Sequence, residues 1–298
     1  MPAQLLIRCA SLVVTAALCV AWRNSPATFV WTTYSLGLAH YFLALRYSAR
    51  QIGEVLAAPA HLLSVAGLGL LTVALYQGNV SLMVYFGLHH ALNEAYLRRF
   101  AGATSPRAHS PLNAAAVLFH AVSYVTILRF DLGFSWVGVR WFLSALVVAT
   151  AAVVVALLRP REFRNASQMM DLCAAEIAGV VLVVVSLFVR ITFLQMVLYH
   201  FVLWALVPIE RIRSRGKVAL GQYLAVSAAV LGILALMSPL GPALTQIGAG
   251  TFSQQFLFWS YAHISLSLAL SDAHPRWITR LFRGAAEPSL SEPARVSG

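Results

Sequence analysis

The sequence predicts an all-α fold, a polytopic integral membrane bundle of about ten transmembrane helices, and three observations carry that class. Of the 298 residues 60% are hydrophobic and only 10% are charged, and mean hydropathy is +0.77. Apolar stretches recur along the chain, each close to the roughly 20 residues that a helix needs to cross about 30 Å of hydrocarbon. The basic residues concentrate in the short segments between alternate stretches, as the positive-inside bias of a multi-pass protein requires.

The elements follow in order. The first stretch, 5–22, has a thin basic flank and no small-residue cleavage site before Trp22, so it reads as a retained helix and not a signal peptide. Further stretches run over 26–45, 57–76, 78–97, 112–129, 134–158, 169–189, 191–209, 218–240 and 251–270. Arg190 is the only Arg or Lys between 169 and 209, and there two short spans must meet in a tight turn. Charge bias supports that split. With ten spans, the segments after every even-numbered helix carry Arg46 and Arg50; Arg98, Arg99 and Arg107; Arg159, Arg161 and Arg164; Arg211, Arg213, Arg215 and Lys217; and Arg276, Arg280 and Arg283. Those segments are expected to be cytoplasmic, with both termini inside. The opposite connections hold only Arg23, Arg129 and Arg190, with Arg140 just inside the sixth span.

Residues 1–283 therefore form a single transmembrane domain. It closes with a short interfacial helix near 272–283, where Trp277, Ile278, Leu281 and Phe282 alternate with Arg276, Arg280 and Arg283. The Ala-, Pro- and Ser-rich segment 284–298 has no apolar period and reads as a disordered cytoplasmic tail. The net charge of +11 is explained by topology, so no nucleic-acid partner is expected. Cys9, Cys19 and Cys173 are odd in number and widely spaced inside apolar stretches, which indicates neither a disulfide framework nor a cysteine-based zinc site.

Ionisable residues in hydrocarbon are costly, so their clustering marks a site. His40, His89, His90, Asn93, Glu94, His120, His200 and His263 all fall in spans, mostly toward the cytoplasmic half. The densest group is His89-His90-x-x-Asn93-Glu94. Residues four apart share a helix face, so His90 can present an imidazole and Glu94 a carboxylate to one centre, with His89 and Asn93 as the adjacent pair. His263, Ser267, Leu270 and His274 run down one face of the last span. His40, His90, His200 and His263 together suggest a ring of imidazoles from different helices, suited to iron or another transition ion. The bland alternative for each, taken singly, is a packing or interfacial histidine; that reading is preferred for His61 and His109, and His274 ranks low. Asp171 suits a helix N-terminus. Glu176, deeper, is a weaker candidate to face the site.

The expected activity is an iron-dependent oxidoreductase or oxygenase, non-haem in preference to haem, acting on a lipid-like or isoprenoid substrate. Metal ligands are sought among His40, His89, His90, Glu94, His120, His200 and His263, with Glu94 and Asn93 as catalytic groups. Partners would be the bilayer, a hydrophobic small molecule and an electron-donor protein, and the location a bacterial inner membrane. In general arrangement this is similar to membrane desaturases and hydroxylases and to the bacterial carotene-cleaving oxygenases, although the HxxxH and HxxHH boxes of the desaturases are absent. The alternatives are a haem-binding redox protein, a proton-coupled transporter and a metal-free transferase with histidine as general base.

Overall fold

A computed structural model describes residues 3–56, 59–78, 81–98, 111–134, 137–158, 166–213, 216–237 and 251–270. The described residues are all-helical, with no strand. The helices are α1 (Ala3–Ala21), α2 (Pro26–Leu56), α3 (Pro59–Gln77), α4 (Leu82–Arg98), α5 (Pro111–Ile127), α6 (Val137–Leu157), α7 (Ala166–Leu172), α8 (Ala174–Phe188), α9 (Phe193–Arg213), α10 (Lys217–Met237) and α11 (Phe252–Leu270). Each apolar stretch of the sequence corresponds to one helix, except that 169–189 spans the end of α7 and all of α8. The discontinuity at Cys173 is slight, because Cys173 N–H still donates to Met169 and Ile177 N–H to Cys173. The segment expected as an interfacial helix at 272–283, the tail 284–298, and His109 and His274 lie outside the described residues. So do the side chains of Glu54 and His61.

Two helical segments, Ala3–Ala21 and Gly138–Leu157, are long and apolar enough to cross a membrane; several other apolar helices are shorter. Beside a core that is largely hydrophobic, two helices turn polar side chains inward and apolar ones outward. On α1 the buried residues are Gln4, Arg8, Ser11 and Thr15, which repeat at steps of four, three and four and so form one inward face. Leu6, Val13 and Val20 point outward on the same helix. On α8 Glu176, Gly179, Val183 and Ser186 are buried, while Val180, Val184 and Phe188 are exposed, the last at 82%.

Two buried tyrosines tie neighbouring helices together. Tyr124 donates to the Met83 carbonyl at 2.7 Å, and Tyr223 to the Ala205 carbonyl at 2.9 Å. The turn between α8 and α9 is held by the segment that follows α5. Arg129 donates to the Ser186 carbonyl at 2.7 Å and to the Ser186 hydroxyl at 3.2 Å, satisfying a carbonyl of the last turn of α8 that lacks an intrahelical donor. Asp131 accepts from the Phe193 N–H at 2.7 Å, at the start of α9, and from Arg190 at 2.8 Å. Arg190 thus marks a real turn: α8 ends at Phe188 and α9 begins at Phe193.

Candidate functional site

Helices α9 and α11, which carry His200 and His263, both begin with reciprocal caps. Thr192 accepts from the Gln195 N–H while the Gln195 side chain accepts from the Thr192 N–H. Thr251 and Gln254 do the same. Each arrangement satisfies two N–H groups that a helix start otherwise leaves open, and fixes where the helix enters the bundle. Helix α2 approaches both through Gly37: a methyl group there would stand 2.6 Å from the rings of Phe201 and Phe256. His40 follows one turn later, so this close approach brings its ring between α9 and α11.

Four imidazoles from four helices close a ring. His40 (α2) and His263 (α11) have ring centroids 4.7 Å apart, and His263 lies 5.3 Å from His89 (α4). His89 lies 5.3 Å from His200 (α9), and His200 lies 5.6 Å from His40. The Nε2 atoms of His40 and His263 are 3.2 Å apart. His89 and His200 are each only 1% exposed. Asn93 sits one turn below His89 with its amide 2.9 Å from the His89 Nε2. The ring is surrounded by aromatic groups: Phe86 and Trp204 lie against His200, Phe201 against His40, and Tyr41 stacks on His263. Tyr41 is itself fixed by a 2.8 Å hydrogen bond with Ser260.

A second polar cluster adjoins the ring. His90 lies with its centroid 6.0 Å from His200 and 6.5 Å from His120 on α5. The His120 Nε2 is 3.5 Å from a Glu176 carboxylate oxygen on α8. Glu94 forms an ion pair of 2.5 Å with Arg8 of α1, each side chain 3% exposed. The buried phenol of Tyr199 lies beside this pair. At the same end Asp171 accepts from the Gln4 N–H at 3.0 Å, so the inward polar face of α1 is matched by acids on α4 and α7.

The structure therefore brings together His40, His89, His200 and His263. It sets His90 and His120 beside them, and it engages Glu94 with Arg8. Asn93 serves the His89 ring. Sequence reasoning passed over Arg8, although a lone arginine within an otherwise apolar span was the signal to look for a buried acid. Among the described residues no group of three or more His, Cys, Asp or Glu side chains is placed so that it could hold a metal ion. Two imidazole nitrogens bound to one first-row ion at about 2.1 Å stand roughly 3.0 to 3.4 Å apart for coordination angles from square to tetrahedral. The 3.2 Å between the His40 and His263 nitrogens falls in that interval.

No protein-family model, curated protein or solved structure matches the chain.

Proposed function

We propose that this chain is a multi-pass integral membrane, metal-dependent oxidoreductase that acts on a hydrophobic substrate, with iron held by His40, His89, His200 and His263. The observation that carries the reading is the closed ring of four imidazoles, each from a different helix, with His89 and His200 buried and His40 and His263 half-buried. Four neutral imidazoles packed edge to edge can satisfy one another only by N–H to lone-pair contacts, and a shared cation engages four lone pairs at once. Iron so held supplies activation of oxygen for attack on an otherwise inert substrate.

The protein's own groups have separable tasks. Asn93, whose amide nitrogen lies 2.9 Å from the His89 Nε2, would fix the orientation of that ring. Tyr41, held by Ser260, fixes the plane of His263. Phe86, Phe201 and Trp204 exclude water and offer apolar surface to a substrate. The short separation of the His40 and His263 nitrogens favours a non-haem centre, since axial haem ligands stand about 4 Å apart across a flat macrocycle.

The outward apolar faces, the inward polar face of α1 and the basic segments between alternate helices support ten membrane spans with both termini cytoplasmic. The inner membrane of a bacterium is the corresponding location. A lipid-like or isoprenoid substrate would then enter laterally between helices, and an electron-donor protein would dock on the basic face. The test is metal content and visible absorption of the detergent-purified protein. Stoichiometric iron without a haem band, lost in His263→Ala, is the expected result; a wild-type protein that takes up no metal overturns the reading.

A further inference from the structure

We propose that Arg140, backed by Arg129, binds the phosphate of an anionic phospholipid at the non-cytoplasmic end of the bundle. The inference rests on the reading of the chain as a multi-pass membrane protein. It adds a site to that reading, one that takes a lipid headgroup and not a reacting substrate.

The site is assembled where α5 gives way to α6. Arg129 lies two residues beyond the end of α5, and Arg140 stands in the first turn of α6. Arg129 is 3% exposed, and its terminal nitrogens donate to the Thr126 carbonyl and to the carbonyl and hydroxyl of Ser186. These acceptors are neutral, so its charge is left uncompensated. The Arg129 Nε has no hydrogen-bond partner among the described residues, and neither has the Nε of the half-buried Arg140. The two guanidiniums are near enough for Arg129 to feel the charge of Arg140.

The chain offers them little in return. Asp131 is already engaged by Arg190 and by the Phe193 N–H. Of the ten Asp and Glu residues it alone falls in a connection on this side of the ten-span topology, where Arg23, Arg129, Arg140 and Arg190 also lie. The first turn of α6 contains no acid, although a helix start favours an anion and disfavours a cation. Cations removed from water without a counter-charge are costly, and an anion from outside the chain supplies what these two lack.

The surroundings say which anion. The Arg129 guanidinium lies 4.5 Å from the centre of the Phe130 ring, and that of Arg140 lies 4.9 Å from Trp141. Phe130, Trp141 and Phe142 are all exposed, Trp141 at 61%. Exposed aromatic rings gathered at one end of a membrane bundle mark the depth of the headgroups. Phosphate diesters are the abundant anions at that depth, and the planar fork of arginine matches their paired oxygens. Three cations, Arg129, Arg140 and Arg190, against the single Asp131 favour a headgroup of net negative charge over a zwitterionic one.

The experiment measures thermal unfolding of the full-length protein, purified in an uncharged detergent, with added phosphatidylglycerol, phosphatidylcholine or inorganic phosphate. Phosphatidylglycerol is expected to raise Tm by roughly 5 °C at a hundredfold excess over Kd, and phosphatidylcholine by clearly less. Arg140→Gln should lose most of that preference, while Arg46→Gln, an exposed arginine at the opposite end, should keep it. Equal shifts from the two lipids in the wild type, or a preference that persists in Arg140→Gln, overturn the site. A shift from inorganic phosphate as large as that from phosphatidylglycerol overturns the lipid assignment in favour of a soluble anion. Recovery of the protein in the soluble fraction without detergent would overturn the membrane reading itself, and is scored separately, before any lipid is added.

Discussion

Two polar regions lie about 10 Å apart along α9, seven residues at 1.5 Å each, and they are built on opposite principles. At the turn that opens α9, every charged group has a partner of complementary kind. Arg129 meets a helix-end carbonyl, and Asp131 meets a helix-start N–H and the Arg190 guanidinium. At the histidine ring the groups are alike, all imidazoles, and like groups satisfy one another poorly. A turn needs only to be held, so evolution of stability alone explains the first. Buried polar groups so arranged are costly relative to apolar residues of the same volume, and that cost supports the reading proposed for them.

The Arg8–Glu94 pair sharpens this contrast, since it lies at the edge of the histidine region yet is built like the turn, donor against acceptor. Removing one partner of such a buried pair strands the other, at a cost of about 3–5 kcal/mol, whereas replacing both with apolar residues is often close to neutral. Arg8→Met is therefore expected to be strongly destabilising in thermal or denaturant unfolding in detergent, and the double variant Arg8→Met with Glu94→Met to recover most of the loss. A double variant that unfolds as readily as the single one, while metal binding is retained in neither, would instead place Glu94 among the groups that hold the ion. The comparison between structural and chemical polar groups would then break at this pair.

A smaller effect is expected from packing that supports the ring without belonging to it. Gly37→Ala would drive a methyl group into Phe201 and Phe256 at 2.6 Å, and overpacking of this kind costs about 1–3 kcal/mol. Because Phe201 also lies against His40, the variant should weaken metal affinity as well as stability. Loss of stability with unaltered affinity, measured by metal titration, would show that the ring is insulated from the α2–α9 contact.

How much of this was legible beforehand differs between the regions. Helix existence was readable because each apolar stretch exceeds what a non-helical segment could satisfy internally, and the break at Arg190 followed from charge placement. That His40, His200 and His263 would lie near one another was expected from their places in the apolar stretches, and their rings are neighbours. Two things were not. Periodicity placed His90 and Glu94 on one face but could not say that α1 would supply Arg8 to that face, because inter-helix pairing leaves no local signal. Nor does sequence spacing decide which of two adjacent histidines turns inward: His89 joins the ring, and His90 turns toward His120. The reciprocal caps of α9 and α11 were present in the sequence as Thr-x-x-Gln, at Thr192 and Thr251, and could have been read.

The smallest expected effect lies at the turn itself. Arg190 is mostly exposed, 63% at the side chain, although its partner Asp131 is largely buried. An ion pair of that kind contributes about 0.2–1 kcal/mol, so Arg190→Ala should shift unfolding only slightly and leave bound iron unchanged. Asp131 keeps the Phe193 N–H in that variant, and Arg129 keeps the Ser186 carbonyl, so both helix ends remain satisfied. If Arg190→Ala instead released the metal, the turn would have to transmit strain down two turns of α9 to His200. The two regions would then be one mechanical unit, and the division between holding and reacting would be overturned where the structure makes it look strongest.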